Sequence, residues 1–245
     1  MAHVDLCSGI GGFALGFEWA GLSKPVLFCD IEPWSRKILR KHWPDVPIAE
    51  DVKELANDPD GLILHCDILT AGYPCQPFSL AGERRGAEAD RHIWPYIFSI
   101  IQAKRPSWCV FENVYGHVSM GLDEVLSDLE GEGYAARPFI VPACAADAPH
   151  RRDRVWIIAR NVADSNSAGL QGRQNARDTS QSRAQRDKQF ARRSERPDGQ
   201  NWLAEPAVGR VAHGIPRRVD RLRGLGNAIV PQIAMRIGET IKACQ

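Results

Sequence analysis

Val4-Asp5-Leu6-Cys7-Ser8-Gly9-Ile10-Gly11-Gly12 is a short apolar run that breaks into a glycine-rich turn. Residues 13–20 behind it read as a helix stopped at Gly21. A strand, a glycine turn and a helix make the opening of a βαβ unit, so the pattern predicts an α/β fold with a mostly parallel sheet flanked by helices. Small residues in the turn let a ligand approach the backbone, and the helix N-terminus offers free N–H groups to a carboxylate or phosphate. The glycine spacing is not the G-x-G-x-x-G of a dinucleotide site, which counts against a Rossmann oxidoreductase.

The alternation continues outward from this unit. Strands are expected at 25–29, at 62–69 (one strand or two short pieces) and at 108–111, the last stopping at Glu112-Asn113. Helices are expected at 34–43, 93–101 and 122–129. Residues 134–141 and 155–159 read as paired later strands, and 229–241 as a closing helix. Between 164 and 200 the character changes. That stretch is dominated by Arg, Gln, Ser, Asn and Asp, contains no Ile, Val, Met or Trp, and cannot bury enough apolar surface to fold alone.

With 245 residues the chain can build one full core and a smaller lobe. No apolar run is long enough to span a bilayer, and no signal-peptide pattern is present. The seven cysteines are odd in number and form no C-x-x-C pair. They point away from a disulfide framework or zinc site and toward a reducing cytoplasm, with no metal site indicated. The net charge of +1 hides an asymmetry: residues 1–149 carry 12 Lys/Arg against 21 Asp/Glu, and residues 150–223 carry 17 against 8. A basic block on an acidic protein is the footprint of a polyanion-binding surface, or else a solvated linker.

Four further places carry chemistry. In Gly72-Tyr73-Pro74-Cys75-Gln76-Pro77, a cysteine sits between two prolines that restrict the loop, a rigid mount for a thiolate nucleophile. Asp30 ends the second strand, where a carboxylate binds ribose hydroxyls in nucleotide-binding α/β folds or caps the next helix. Glu112 lies at another strand end, so that Cys75 and Glu112 would open onto the same carboxyl edge of the sheet. Arg152 and Arg154 precede the apolar run 155–158, and strand alternation would send both guanidiniums toward one site.

Taken in order, the glycine loop at 5–12, Asp30, Gly72-Tyr73-Pro74-Cys75-Gln76, Glu112-Asn113-Val114, Arg152-x-Arg154 and Gly226-Asn227-Ala228-Ile229-Val230-Pro231 resemble the DNA (cytosine-5)-methyltransferase family. The likeness covers residues 4–160 and about 224–235 and is silent over the polar middle. It implies a Rossmann-like S-adenosylmethionine-dependent methyltransferase fold with catalytic and cofactor-binding residues in 1–160. A short basic target-recognition region at 161–223 would follow, and a segment at 224–245 would return to the first domain. Only about sixty residues separate Arg160 from Gly224, where family members usually carry a sizeable recognition domain.

By this resemblance Cys75 is the nucleophile that adds to C6 of a flipped-out cytosine, Glu112 holds or protonates N3, and Arg154 binds O2 with Arg152 beside it. Ser8, Gly9, Ile10, Gly11 and Gly12 would hold the methionine moiety of S-adenosylmethionine, and Asp30 its ribose. Ile31 would pack on the adenine and Asp51 would reach its amino group. Asp5, Leu6, Val52, Gly72, Pro74, Asn227 and Ala228 complete the expected cofactor set. The implied protein is a cytoplasmic monomer acting on double-stranded DNA, of the bacterial or phage restriction-modification type, with no metal and no membrane. The same chemistry on tRNA and a catalytically inactive DNA-binding relative are the alternatives.

Overall fold

The computed structural model describes residues 1–74, 93–146, 152–162 and 228–245. Cys75, Asn227 and the basic segment lie outside the described residues. Seven strands form one sheet in the order β3-β2-β1-β4-β5-β7-β6. They are β1 (Ala2–Leu6), β2 (Lys24–Cys29), β3 (Ile48–Ala49), β4 (Ile68–Ala71), β5 (Trp108–Val114), β6 (Tyr134–Pro142) and β7 (Asp153–Asn161). The first five are parallel, and β7 and β6 complete the sheet antiparallel. A parallel sheet needs both faces covered, and the central strands are accordingly apolar almost throughout. β4 is buried at all four positions.

Helices cover the two faces. On one, Leu55 of α3 (Val52–Asn57), Ile97 and Ile101 of α5 (Trp94–Lys104) and Leu129 of α7 (Leu122–Gly131) pack on Leu6, Leu69, Phe111 and Ile157. On the other, Phe13 and Phe17 of α1 (Gly12–Trp19) join Ile233, Ala234 and Ile237 of the C-terminal helix (Pro231–Ala243) over Ile68, Val110 and Trp156. Leu39 of α2 (Pro33–His42) closes the β2 end against Phe28. The α1 and C-terminal helix backbones touch closely. A Cβ on Gly16 would meet Ala234 Cβ at 2.6 Å, and one on Gly238 would meet Ala20 Cβ at 2.9 Å.

Two expectations change. The run 62–69 is not a strand or a pair of strands. Its start belongs to the short helix α4 (Pro59–Leu62), which Asp58 initiates by accepting the Gly61 N–H at 3.0 Å, and the strand begins only at Ile68, opposite His3 of β1. β5 does not stop at Glu112-Asn113 but continues to Val114, because β7 pairs with it along its whole length. Glu112 therefore sits inside a strand, paired to Trp156. No helix among the described residues is long and apolar enough to cross a membrane.

Candidate active site

β1 is followed by β2 and β3 on one side, and β4 and β5 lie on the other, so the chain reverses direction across the sheet between β1 and β4. Open α/β sheets bind ligands in the crevice at the carboxyl ends of strands beside such a reversal. A cavity of about 400 Å³ opens there. It is lined by Cys7 and Gly9 after β1, Asp30 and Ile31 after β2, Asp51 and Val52 after β3, and Gly72, Tyr73 and Pro74 after β4. Glu112, Asn113 and Val114 of β5 and Arg154 of β7 close the other side.

The β1 turn is tight: Cys7, Gly9 and Gly11 have φ of 50°, 56° and 84°. A Cβ at Gly11 would strike the Trp43 ring at 2.5 Å, and one at Gly12 would meet Ile229 Cβ at 2.7 Å, so glycine is required at both. The Ser8 hydroxyl is turned inward, donating to the Asp5 and Cys29 carbonyls. Gly9 N–H points outward and donates to Asp30 Oδ2 at 2.7 Å, while Glu32 N–H donates to Oδ1 at 2.9 Å. Burial raises the Asp30 pKa, and these bonds act against that shift. Arg36 ties down the same turn by donating to the Asp30 and Ile31 carbonyls, which leaves the Ile31 side chain 69% exposed at the cavity wall. Asp51 caps α3 by accepting the Lys53 N–H.

Asp5 and Leu6 are fully buried and do not line the cavity. Thr70 Oγ1 donates to Asp5 Oδ1 at 2.6 Å and lies 2.7 Å from His3 Nε2. Since the Thr70 proton goes to Asp5, His3 donates from Nε2, which leaves an unprotonated, buried Nδ1 without a partner among the described residues. Burial holds His3 neutral, with its pKa lowered to about 3, and lifts Asp5 to about 7. Ile10, Gly11, Gly12 and Ala228 also stand behind the cavity wall rather than in it.

On the opposite wall, Arg154 Nε lies 2.9 Å from Glu112 Oε1. The register pairs Val114 with Arg154 and Glu112 with Trp156, so Glu112 and Arg154 are diagonal neighbours on one face, within reach for two long side chains. Burial raises the Glu112 pKa to about 7 even though Arg154 and Arg152 both pull it down. Arg152 has φ of 38° and turns its guanidinium to the Ala228 carbonyl at 2.8 Å, joining the arginine pair to the chain entering the C-terminal helix. The cavity thus brings together Gly9, Asp30, Ile31, Asp51, Val52, Gly72, Pro74, Glu112 and Arg154 of the residues singled out in the sequence.

Several lining residues were given no role by the sequence. Glu32 and Trp34 sit at the start of α2, and only the β2–α2 turn brings them to the wall. Tyr73 stands in the quoted stretch that leads to Cys75. Asn113 is 3% exposed, and its Nδ2 has no partner among the described residues.

A family model for C-5 cytosine-specific DNA methylases matches residues 1–204. Type II methyltransferase M2.BsuMI of Bacillus subtilis is 34% identical over 67% of this chain and 43% of its own. Type II methyltransferase M.NgoFVII of Neisseria gonorrhoeae is 31% identical over 63% of this chain and 42% of its own. The chain therefore spans about two fifths of the length of these relatives. The crystal structure of S. pombe Dnmt2 methyltransferase superposes with a TM-score of 0.68 at 17% identity, covering 100% of this chain and 99% of that one, a likeness of fold.

Proposed function

This chain belongs to the C-5 cytosine-specific DNA methylase family, and from that premise we propose that it methylates C5 of cytosine in double-stranded DNA. The observation that carries the reading is the pair of buried Glu112 and half-buried Arg154, facing the glycine turn and Asp30 across a single cavity.

The residues on the cavity wall fit S-adenosylmethionine. Asp30 presents a carboxylate held by two backbone N–H groups, suited to ribose hydroxyls, and Ile31 offers an exposed apolar face for a purine ring. Gly9, Asp51, Val52, Gly72 and Pro74 would complete the contacts, with the rest of the turn and Asn227 supporting them. When bound, S-adenosylmethionine supplies a methyl group activated by its sulfonium centre.

Cys75 follows Pro74 directly in the chain and is the proposed nucleophile. Its thiolate adds to cytosine C6, which breaks aromaticity and sends electron density toward C5, N3 and O2. Glu112, with a pKa near 7, donates its proton to N3 as that charge develops. Arg154 holds O2 and orients Glu112 through their shared contact. Arg152 keeps the Ala228 chain against this wall. After C5 is alkylated, its proton leaves and Cys75 is eliminated, restoring the ring. The target base must leave the duplex stack to enter. Residues 1–160 would form the catalytic and cofactor domain, 161–223 a short target-recognition region, and 224–245 a return to the first domain.

The test is transfer of labelled methyl groups to duplex DNA and to tRNA in competition, followed by bisulfite sequencing of the DNA. Labelled 5-methylcytosine in DNA is expected, and its formation should vanish in Cys75→Ala while S-adenosylmethionine binding persists. Transfer to tRNA alone, or full turnover by Cys75→Ala, would overturn the reading.

A further inference from the structure

Tyr73 and His117 form a buried contact that joins two walls of the cavity. Tyr73 lies after β4, two residues before Cys75, and is 4% exposed. His117 lies five residues beyond Glu112, opens the short helix α6 (His117–Met120), and is 3% exposed. Tyr73 Oη and His117 Nε2 are 3.0 Å apart, and the two rings meet edge to face at 5.6 Å. Trp94 and Phe111 hold the other sides of the Tyr73 ring, with centroids at 5.7 and 6.2 Å. Trp94 is itself fixed to α7 by donating from Nε1 to Asp128 at 2.7 Å. The Tyr73 ring is thus locked by packing, while its hydroxyl makes a specific bond to the segment that follows Glu112.

We propose that the Tyr73–His117 hydrogen bond is a positioning device that sets the separation between the chain leading to Cys75 and the strand bearing Glu112. The proposal rests on the catalytic roles given above to those two residues. A thiol that must reach C6 while a carboxyl reaches N3 of the same ring needs its two supports at one spacing, and misplacement by about 1 Å can cost roughly 10²-fold in rate. Apolar contacts alone tolerate sliding; a hydrogen bond between two buried groups does not, because it weakens steeply with distance and angle. Burial lowers the His117 pKa, which favours the neutral imidazole in this contact.

Tyr73→Phe removes only the hydroxyl and keeps the ring between Trp94 and Phe111. We expect it to lower kcat, and the rate of covalent trapping on DNA carrying 5-fluorocytosine, by roughly 3–30-fold, with KM for DNA and S-adenosylmethionine affinity within about twofold of wild type. His117→Leu should behave alike, His117→Gln should recover most of the loss, and Tyr73→Phe with His117→Leu should lose no more than either alone. Amide hydrogen exchange over residues 71–74 and 112–118 gives a second measurement that needs no substrate. Both stretches should exchange faster together in either single variant. Wild-type kcat in Tyr73→Phe, additive losses in the pair, or unchanged exchange would overturn the proposal. A wild type that traps no DNA, yet whose variants show the paired rise in exchange, would fail the catalytic reading and leave the structural link standing.

Discussion

Glu112 shows how burial and charge divide the control of one group. Its carboxyl is nearly excluded from water, which favours the neutral form, while the Arg154 contact at 2.9 Å favours the anion. The balance leaves the pKa at about 7, where a carboxyl can still donate a proton at neutral pH. Glu112→Gln keeps the shape and the contact to Arg154 but has no acid proton. It should lower kcat by roughly 10²–10⁴-fold, leave S-adenosylmethionine affinity nearly unchanged, and abolish the fall in kcat as pH rises through 7. Collapse of cofactor binding in that variant, with normal turnover of the loaded enzyme, would move Glu112 to the cofactor site. Asp5 has the same upward shift without a countercharge: desolvation lifts it from 3.8 to about 7 despite the Thr70 hydroxyl. The folded state therefore binds this proton more tightly than the unfolded chain. The stability that results is complete below about pH 4 and is lost as pH rises through 7. Asp5→Asn, which can still accept from Thr70, should flatten the decline of Tm between pH 5 and 8. An unchanged slope would show that Asp5 ionises freely in the folded protein.

Among the elements, the pairing of α1 with the C-terminal helix is the least tolerant of added volume. Gly16 faces Pro231, Ala234 and Met235 so closely that a methyl group has no room, and the neighbours are backbone atoms and a Cβ rather than flexible side-chain ends. Gly16→Ala should destabilise the protein by roughly 1–3 kcal/mol despite the better helix propensity of alanine, a sign that chemical denaturation would read directly. Because Ile229, two residues before that helix, packs on Gly12 and Gly72, the same variant should also weaken cofactor binding. Such helix contacts are invisible in sequence, since the partners lie more than two hundred residues apart. What could be read were elements with a clear pattern and clear stops: β1, β2, α2 and the β6–β7 pair. The failures have local causes. The Asp58-Pro59 start signal outweighs the apolar look of residues 62–64, and β3, only two residues long, exists through its pairing with Phe28 and Cys29. At the cavity, Asp30, Glu112 and Arg154 stood out because charge at the edge of an apolar strand needs a reason. Trp34 and His117 did not, because only the packed sheet tells which turn they face.

At the scale of the molecule, charge is partitioned along the chain. Residues 1–149 hold nine more acidic than basic groups, and residues 150–223 hold nine more basic than acidic ones. An acidic body repels a polyanion, so under the proposed function attraction to DNA would come from the basic block, which includes eight Arg/Lys between 164 and 200 with few apolar neighbours. Such a composition suits phosphate neutralisation, which releases counterions and makes affinity fall steeply with salt, but it offers few rigid side chains for reading base edges. The expected recognition site is therefore short or relaxed. Replacing Arg177, Arg183, Arg186 and Arg192 with glutamine should weaken binding by a similar factor on every duplex sequence. It should also reduce the slope of log K against log salt by roughly 0.9 for each phosphate that is no longer neutralised. Methylation patterns and binding isotherms on a randomised duplex library, measured at several salt concentrations, supply both quantities. A long, strictly read site, or a change of site preference on the fourfold substitution, would make the basic block a base-reading element instead of an electrostatic one.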